Sequence, residues 1–196
     1  MKKIIFNDRY GLTQAVIEGR KTMTRRIVPT KTRLRRALAV IHDEPHGSEQ
    51  EEYLKSAYYK VGEIVAVAQN YSSFYNILDN TRPIPEGAGW DNKMFVRADL
   101  MPHQIRITGI KCERLQDISA ADCLKEGIFI SEYFGDNGKY HLFGFDGVFY
   151  ETEGWFARGW FDTPREAFAE LIDKVCRKGT WASNPWTMVY EFELVK

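Results

Sequence analysis

Segments typical of β-strands outnumber helical segments in this sequence, and helices do not alternate regularly with them. The strand-like segments are residues 3–6, 61–68, 94–97, 105–115 and 187–195. Apolar and polar side chains nearly alternate in residues 105–112 and 187–195, so one face of each strand is expected in the core. A doubly wound fold needs helical crossovers between its strands. The sequence therefore predicts an α+β fold with a mixed, mainly antiparallel sheet or small barrel.

Two helices can be placed from their ends. Residues 10–18 suit a short helix, and Gly19 stands just past its end, where a positive φ is common. A second helix is predicted to begin at residues 163–166, which combine a capping threonine, a proline at the first position and a glutamate at the third. Gly179 is expected to close it. These helices are expected to flank the sheet.

Glu126 stands at an unusual position, the end of a third predicted helix. Ser119 and Asp122 have the spacing of a capping box, so the helix is expected to run from there to Glu126, with Gly127 ending it. A carboxylate in the last turn faces the negative pole of the helix and is disfavoured by ~0.3–1 kcal/mol. Glu126 is therefore either a functional acid that violates a local rule or an exposed carboxylate.

The length and composition indicate one globular domain over residues 1–196. Residues 31–57 are polar and charged, and are expected to form two short helices or an ordered loop inserted into the domain. No apolar run reaches the ~18 residues of a membrane helix, and the first residues lack the apolar region of a signal peptide. Three cysteines without paired spacing argue against a disulfide framework and indicate a reducing cytoplasm.

Two further patterns have competing interpretations. His42 and His46 are spaced like metal ligands on a helix, but Pro45 between them opposes a regular helix, so we expect no metal and no cofactor. Residues 131–161 are dense in aromatic side chains, with a hairpin signal at Asp146-Gly147. These rings either form a small satellite core under an inserted hairpin or stack on nucleobases.

Residues 19–26, Gly-Arg-Lys-Thr-Met-Thr-Arg-Arg, form a basic corner between a helix and a strand. Its candidate ligand-binding residues are Arg20, Thr22, Arg25 and Arg26. From Arg20 to Arg36 the chain has eight cations and no acid, although the formal net charge of the whole chain is zero. Such asymmetry can steer an anionic ligand to one face. The alternative is a solvated strand edge whose charges prevent pairing with another sheet.

Four motifs together resemble the ASCH domain family, whose members are PUA-like barrels. The motifs are the basic corner, G-E-I-V-A-V at 62–67, Glu126-Gly127 at a helix end, and Asn184-Pro185-Trp186 before the last strand. The resemblance covers most of the chain; the basic corner is specific and the rest is supportive. It implies a single PUA-like domain in which residues 30–58 and 131–160 are insertions, as in the longer, phage-associated members.

The resemblance also implies two functions. Small bacterial members are amidohydrolases that remove the acetyl group from the exocyclic amine of N(4)-acetylcytidine, and their Lys, Thr and Glu match Lys21, Thr24 and Glu126. PUA-like domains also bind RNA. We therefore expect RNA or nucleotide binding at the basic corner, with deacetylation as the alternative and contact with a protein partner as a third interpretation. Longer relatives carry a Glu where this chain has Gln69, a further candidate ligand-binding residue.

The deacetylation scheme places a geometric demand on the corner. A threonine hydroxyl is a weak nucleophile unless a base takes its proton, and a desolvated Lys21 beside arginines is a candidate base for Thr24. Glu126 would orient the lysine and pass a proton to the leaving amine. In a regular strand, Lys21 and Thr24 point to opposite faces. The scheme therefore requires a bend near Thr22 or Met23.

Overall fold

The computed structural model describes residues 1–41, 48–75, 85, 87–135, 138–146, 149–152 and 155–195. The strands are β1 (Lys2–Ile4), β2 (Met23–Ile27), β3 (Ile64–Val67), β4 (Gln104–Arg114), β5 (Phe129–Gly135), β6 (Gly138–Gly144), β7 (Phe149–Thr152), β8 (Trp155–Arg158) and β9 (Trp186–Leu194). The helices are α1 (Leu12–Ile17), α2 (Thr30–Ile41), α3 (Glu49–Lys55), α4 (Ala120–Lys125), α5 (Pro164–Val175) and α6 (Thr180–Ser183). His42, His46 and Gly147 lie outside the described residues, so the metal-pair and hairpin-turn hypotheses stay predictions.

Five strands form one mixed sheet in the order β1-β3-β4-β9-β2. β1 and β3 run parallel, whereas the other three neighbouring pairs are antiparallel. The two longest strands, β4 and β9, pair at the centre from Ile105 opposite Leu194 to Arg114 opposite Trp186. The predicted α+β fold with a mixed, mainly antiparallel sheet is confirmed.

The main hydrophobic core joins the sheet to α1, α4 and α5. Its fully buried members include Ile4, Val16, Val65, Ile107, Cys123 and Phe168. Burying an aliphatic or aromatic side chain of this size stabilises the fold by about 1.5–3 kcal/mol. The three cysteines are unpaired. Phe168, Leu171 and Ile172 form an apolar stripe on α5 that is buried here, and this stripe lines one wall of the site described below.

Residues 94–97 do not form the predicted strand. They form a turn and bend followed by irregular chain, and Val96 is buried in a second, smaller core with Tyr71 and Met101. The ammonium group of Lys3 donates to the carbonyls of Met94 and Val96 over 2.6 and 2.7 Å. A side chain from β1 therefore satisfies carbonyls that a neighbouring strand would otherwise pair.

The aromatic segment contributes to the main core. β5 pairs with β6 and β7 with β8, each pair forming a separate two-stranded sheet. The Phe145 ring is buried and lies 5.9 Å from the Tyr10 ring and 6.1 Å from the Phe161 ring, between centroids. Phe145 thus belongs to the main core and not to the satellite core that the sequence suggested.

The predicted helix starts are confirmed, and one predicted end is wrong. The Ser119 side chain accepts from the Asp122 N–H at the start of α4, and Thr163 and Glu166 form a reciprocal capping box at the start of α5. However, α5 ends at Val175, and Gly179 instead precedes α6 with a φ of +86°. Residues 31–57 contain most of α2 and all of α3, as the interpretation of two helices proposed.

β1 and β2 are the two edges of the sheet, and they face each other across a gap. Arg26 Nη2 donates to the carbonyl of Ile5, the residue after β1, over 2.6 Å. Main-chain pairing does not join β1 to β2 in the part of the chain that the structure describes. The described sheet is therefore open, without the closure expected of a barrel, and the cavities discussed below lie along this gap.

Candidate functional site

The chain turns sharply as it leaves α1. Gly19 adopts a φ of +72°, which reverses the chain direction after the helix. The Lys21 N–H then donates to the carbonyl of Ala15 over 2.9 Å. This bond holds the start of the basic corner back against the helix.

A second main-chain hydrogen bond lies just before the start of β2. The Thr22 N–H donates to the carbonyl of Lys125 in α4 over 2.9 Å, and the strand begins only at Met23. Lys21 therefore precedes the strand, and the alternation of side-chain directions within a strand does not apply to it. Its side chain and that of Thr24 line the same cavity. The described chain bends at Arg20, before the predicted position near Thr22 or Met23, and this placement still lets Lys21 and Thr24 line one cavity.

Gly127 makes room for Lys21 at the end of α4. Its φ is +104°, which side chains with a Cβ rarely adopt. A Cβ added here would lie 3.2 Å from Leu12 Cδ2 and 3.6 Å from Lys21 Cδ. The glycine therefore lets the chain turn directly after Glu126 while the Lys21 stem packs against it.

Lys21 and Glu126 form a buried ion pair. Lys21 is 2 % exposed and Glu126 is 4 % exposed. Lys21 Nζ donates to Glu126 Oε2 over 2.6 Å and to the Glu126 carbonyl over 2.7 Å. An amine has a third position on Nζ, and it has no hydrogen-bond partner among the described residues. Glu126 is therefore not the exposed carboxylate of the competing interpretation.

The surroundings of Lys21 oppose its charge. Burial lowers the pKa of Lys21 below its ordinary value, and the nearby Arg26 and Arg25 act in the same direction. Glu126 raises that pKa but does not cancel the effect of burial. Lys21 thus gives up its proton more readily than an exposed lysine.

Arg25 connects the pair to a wider network of charges. Its guanidinium donates to Glu126 Oε1 over 3.0 Å and to Glu113 Oε1 over 2.5 Å, and lies 3.4 Å from Asp122 Oδ2. Lys111, half-buried at the surface, contacts both Glu113 and Asp122. Burial lowers the pKa of Arg25, but Glu126 and Glu113 outweigh it and leave that pKa above its ordinary value. Arg25 thus remains a fixed cation that holds Glu126 in place.

Lys21, Thr24, Arg25 and Glu126 share a cavity of about 160 Å³. Its other lining residues are Ile5, Phe6, Asn7, Leu12, Arg26, Ile27, Phe168, Leu171, Ile172, Val175 and Cys176. We call this the first cavity. It is apolar on the side of α5 and charged on the side of the basic corner, so it can hold a small ring whose polar edge faces Lys21.

The remaining candidate residues are placed differently. Arg26 is exposed at the border of the first cavity. Arg20 is exposed and paired with Glu18 over 2.5 Å, and the main chain of Thr22 holds the corner. Gln69 hydrogen-bonds to His103 over 2.7 Å and lines a different cavity. The structure therefore brings Arg26 to the site and leaves Arg20 and Gln69 away from it.

Three residues around the site were missed by reasoning from the sequence. Glu113 and Asp122 hold Arg25, and Phe168 of α5 lines the first cavity. Lys111 and Glu113 are two residues apart on β4, so their side chains lie on one face of the strand. This spacing was the sequence signal for their part of the charge network around Arg25. Phe168 carried no signal beyond the apolar stripe of its helix.

The fold and site define an α+β protein with a buried ion-pair network beside a small cavity. Comparison of the chain with protein-family models, curated proteins and solved structures gave no match. In the described ranges, no three His, Cys, Asp or Glu side chains are grouped so that they could hold a metal ion. None of the described helices has the length and apolar character needed to cross a membrane.

Proposed function

We propose that this protein is an amidohydrolase that removes an acyl group from the exocyclic amine of a pyrimidine nucleoside such as N(4)-acetylcytidine. One observation supports this above the others. The Lys21 amine, the Glu126 carboxylate and the Thr24 side chain converge on one small cavity, with the lysine and glutamate in direct contact. Perturbed ionisable groups that line a cavity are typical of catalytic sites.

The chemistry follows from the roles available to the three side chains. Neutral Lys21 takes the proton of the Thr24 hydroxyl as its oxygen attacks the acetyl carbon. The amide C–N bond then breaks, and Glu126, which contacts the lysine, passes the proton to the departing amine. Water hydrolyses the resulting threonine ester and releases acetate. The net reaction consumes one water and yields cytidine and acetate.

The size of the first cavity selects the part of the substrate that enters. A cavity of about 150 Å³ holds a ring the size of benzene. The first cavity, at about 160 Å³, therefore fits a single pyrimidine ring and leaves a sugar outside. Phe6 and Phe168 supply apolar ring surface to its lining.

Nucleotide binding without catalysis is a second candidate function, and Arg26 favours it. Arg26 borders the first cavity and has no carboxylate partner among the residues described. An exposed guanidinium of this kind suits a phosphate. The facing edges of the sheet and the G-R-K-T-M-T-R-R motif at the bend also support an ASCH-type, PUA-like assignment, in which both functions occur.

Acetate release from acylated nucleosides tests the hydrolase proposal. We expect the purified protein to convert N(4)-acetylcytidine to cytidine and acetate. Lys21→Met and Thr24→Val, which remove the base and the hydroxyl, should each lower kcat on the order of 10²-fold or more. Thr24→Ser is the matched control, because it keeps a hydroxyl and should retain measurable turnover.

Circular dichroism should first show that each variant is folded. An inactive wild type on a panel of acylated nucleosides excludes the hydrolase proposal. If that inactive protein still binds cytidine nucleotides, the second candidate stands. Full activity in Thr24→Val would instead exclude Thr24 as the nucleophile.

A further inference from the structure

A second cavity of about 310 Å³ lies next to the first along the gap between β1 and β2. Its lining residues are Lys3, Ile5, Arg26, Ile27, Pro29, Ser56, Tyr58, Tyr59, Met188 and Tyr190. Ile5, Arg26 and Ile27 line both cavities. The two spaces therefore share one wall.

Aromatic rings dominate one side of the second cavity. The Tyr59 ring lies 4.9 Å from the Tyr58 ring and 5.1 Å from the Tyr190 ring, between centroids. The Tyr59 hydroxyl donates to the Lys3 carbonyl, and the Tyr190 hydroxyl accepts from the Tyr58 N–H, so main-chain groups occupy both hydroxyls. The Tyr58 side chain itself is 63 % exposed. Exposed rings of this kind stack on nucleobases.

The charge around the shared wall suits an anion. Lys3 and Arg26 are the charged residues in the lining of the second cavity, and this lining contains no carboxylate among the described residues. Arg26 uses Nη2 to bind the Ile5 carbonyl, and its guanidinium lies 5.7 Å from the centroid of the Phe6 ring. A guanidinium has five N–H donors, so several remain for phosphate oxygens.

Helix α2 extends this positive surface. It begins immediately after Pro29, which lines the second cavity. Its exposed side chains include Lys31, Arg33 and Arg35, and the helix has no acidic residue. A polyanion that leaves the second cavity therefore meets further cations and no opposing charge from this helix.

We propose that the two cavities hold two adjacent nucleosides of one single-stranded RNA segment, with their linking phosphate on Arg26. The acylated pyrimidine occupies the first cavity, and the neighbouring base stacks on Tyr58 in the second. This inference rests on the proposed function, since it assigns the substrate class of the same site. It predicts that the preferred substrate is a modified base within a strand and not a free nucleoside.

The test compares three probes: N(4)-acetylcytidine, and two ribodinucleotides that carry acetylcytidine at the 5′ or the 3′ position beside adenosine. Affinity is measured by calorimetry, and turnover is measured by acetate release. We expect one dinucleotide to bind at least about tenfold more tightly than the nucleoside, as one stacked base and one phosphate contact provide. Only the affinity for the dinucleotide should fall as salt is raised from 50 to 200 mM, conditions that we choose for the comparison.

Matched variants test which residues give the dinucleotide its tighter binding relative to the nucleoside, which we call the dinucleotide advantage. Tyr58→Ala should remove most of the dinucleotide advantage while nucleoside affinity stays within about twofold. Arg26→Ala should lower the ratio of dinucleotide to nucleoside affinity, both measured on the same variant, and should remove the salt dependence of that ratio. Tyr58→Phe retains the ring and should retain the advantage. Arg106→Ala removes an equal charge from an exposed pair with Glu193, outside the linings of both cavities, and should change nothing.

The possible results separate this inference from the function on which it rests. If acetylcytidine is bound or deacetylated but neither dinucleotide is preferred, the two-nucleoside inference fails and the proposed function survives. Binding of a dinucleotide alone supports the inference. If none of the three probes is bound or deacetylated, both proposals fail.

Discussion

Arg20 and Lys21 are neighbours in the sequence, yet their charges have opposite environments. Arg20 pairs with Glu18 at the surface, where both side chains are well exposed. Lys21 pairs with Glu126 in the interior, where the two side chains are only 2 % and 5 % exposed. Both salt bridges have similar N–O distances, 2.5 Å at the surface and 2.6 Å inside. The comparison shows that burial, and not distance, separates a solvated ion pair from one that alters lysine chemistry.

The same division runs through the whole basic corner. Lys21, Thr24 and Arg25 face the interior, whereas Arg20 and Arg26 face solvent. The inward cations are held by carboxylates, and Arg26 has no carboxylate partner among the described residues. One short motif therefore supplies both a buried ion pair and an exposed guanidinium.

The largest expected difference between the two pairs comes from removing their carboxylates. Glu126→Ala leaves Lys21 and Arg25 without their shared acceptor, and should lower the free energy of unfolding by about 3–5 kcal/mol. Glu18→Ala breaks an exposed pair and should leave that free energy unchanged within error. Urea unfolding followed by circular dichroism measures both. Equal effects from the two substitutions would contradict the importance of burial.

A smaller effect should come from the residue that makes room for Lys21. Gly127→Ala forces a Cβ into a left-handed conformation and against Leu12, and should cost about 1–3 kcal/mol of unfolding free energy. Gly62→Ala is the control, because Gly62 has a φ of +83° but nothing within 4 Å of an added Cβ. The loss of unfolding free energy in Gly127→Ala beyond that in Gly62→Ala measures how tightly the chain packs around Gly127. No excess would show that this packing is loose.

The pH dependence of stability should distinguish the buried lysine from an exposed one. The folded pKa of Lys21 lies below its ordinary value of 10.5, so between these two values the unfolded chain holds a proton that the folded protein has released. The free energy of unfolding should therefore rise with pH in this window. The gain is complete above 10.5 and is lost as pH falls through the folded pKa. Each unit of lowering corresponds to about 1.4 kcal/mol.

Lys21→Met provides the reference, since it lacks the titrating group. The stability of the wild type minus that of Lys21→Met should increase with pH up to 10.5 and then level off. A difference that falls as pH rises would mean that attraction to Glu126 outweighs burial.

The smallest effect is expected on the outward face. Arg20→Ala should change the free energy of unfolding by no more than about 0.5 kcal/mol, because solvent replaces its contact with Glu18. Thermal unfolding with and without 0.5 M salt, a concentration that we choose, checks this expectation. A larger loss would show that Arg20 supports the corner in a way that its exposure conceals.

Local signals in the sequence predicted much of the fold. The caps at Ser119 and Thr163 act within four residues of each helix start, and the alternation in β4 and β9 reflects one buried face per strand. Glu126 stood out because its position conflicts with the helix dipole. The structure explains the conflict, since Lys21 and Arg25 both pair with the Glu126 carboxylate and offset its charge at the helix end.

Long-range contacts account for what the sequence did not predict. The late start of β2 is tied to a hydrogen bond from the Thr22 N–H to Lys125, about a hundred positions away. Lys3 of the first strand binds carbonyls within residues 94–97. The Arg25 contacts with Glu113 and Asp122 likewise join separate elements. Periodicity and capping patterns depend only on residues that are close in the sequence, so they do not predict contacts between distant elements.

The position of Glu126 between two cations also restricts how this protein can change over evolutionary time. A single mutation at Glu126 leaves Lys21 without a carboxylate in the interior, and one at Lys21 or Arg25 removes one of the two cations that hold Glu126. Viable routes therefore replace members together, for example the glutamate and the lysine by two apolar residues of matching volume. Related sequences that lack Glu126 should therefore show a second replacement at Lys21, and rarely a single one.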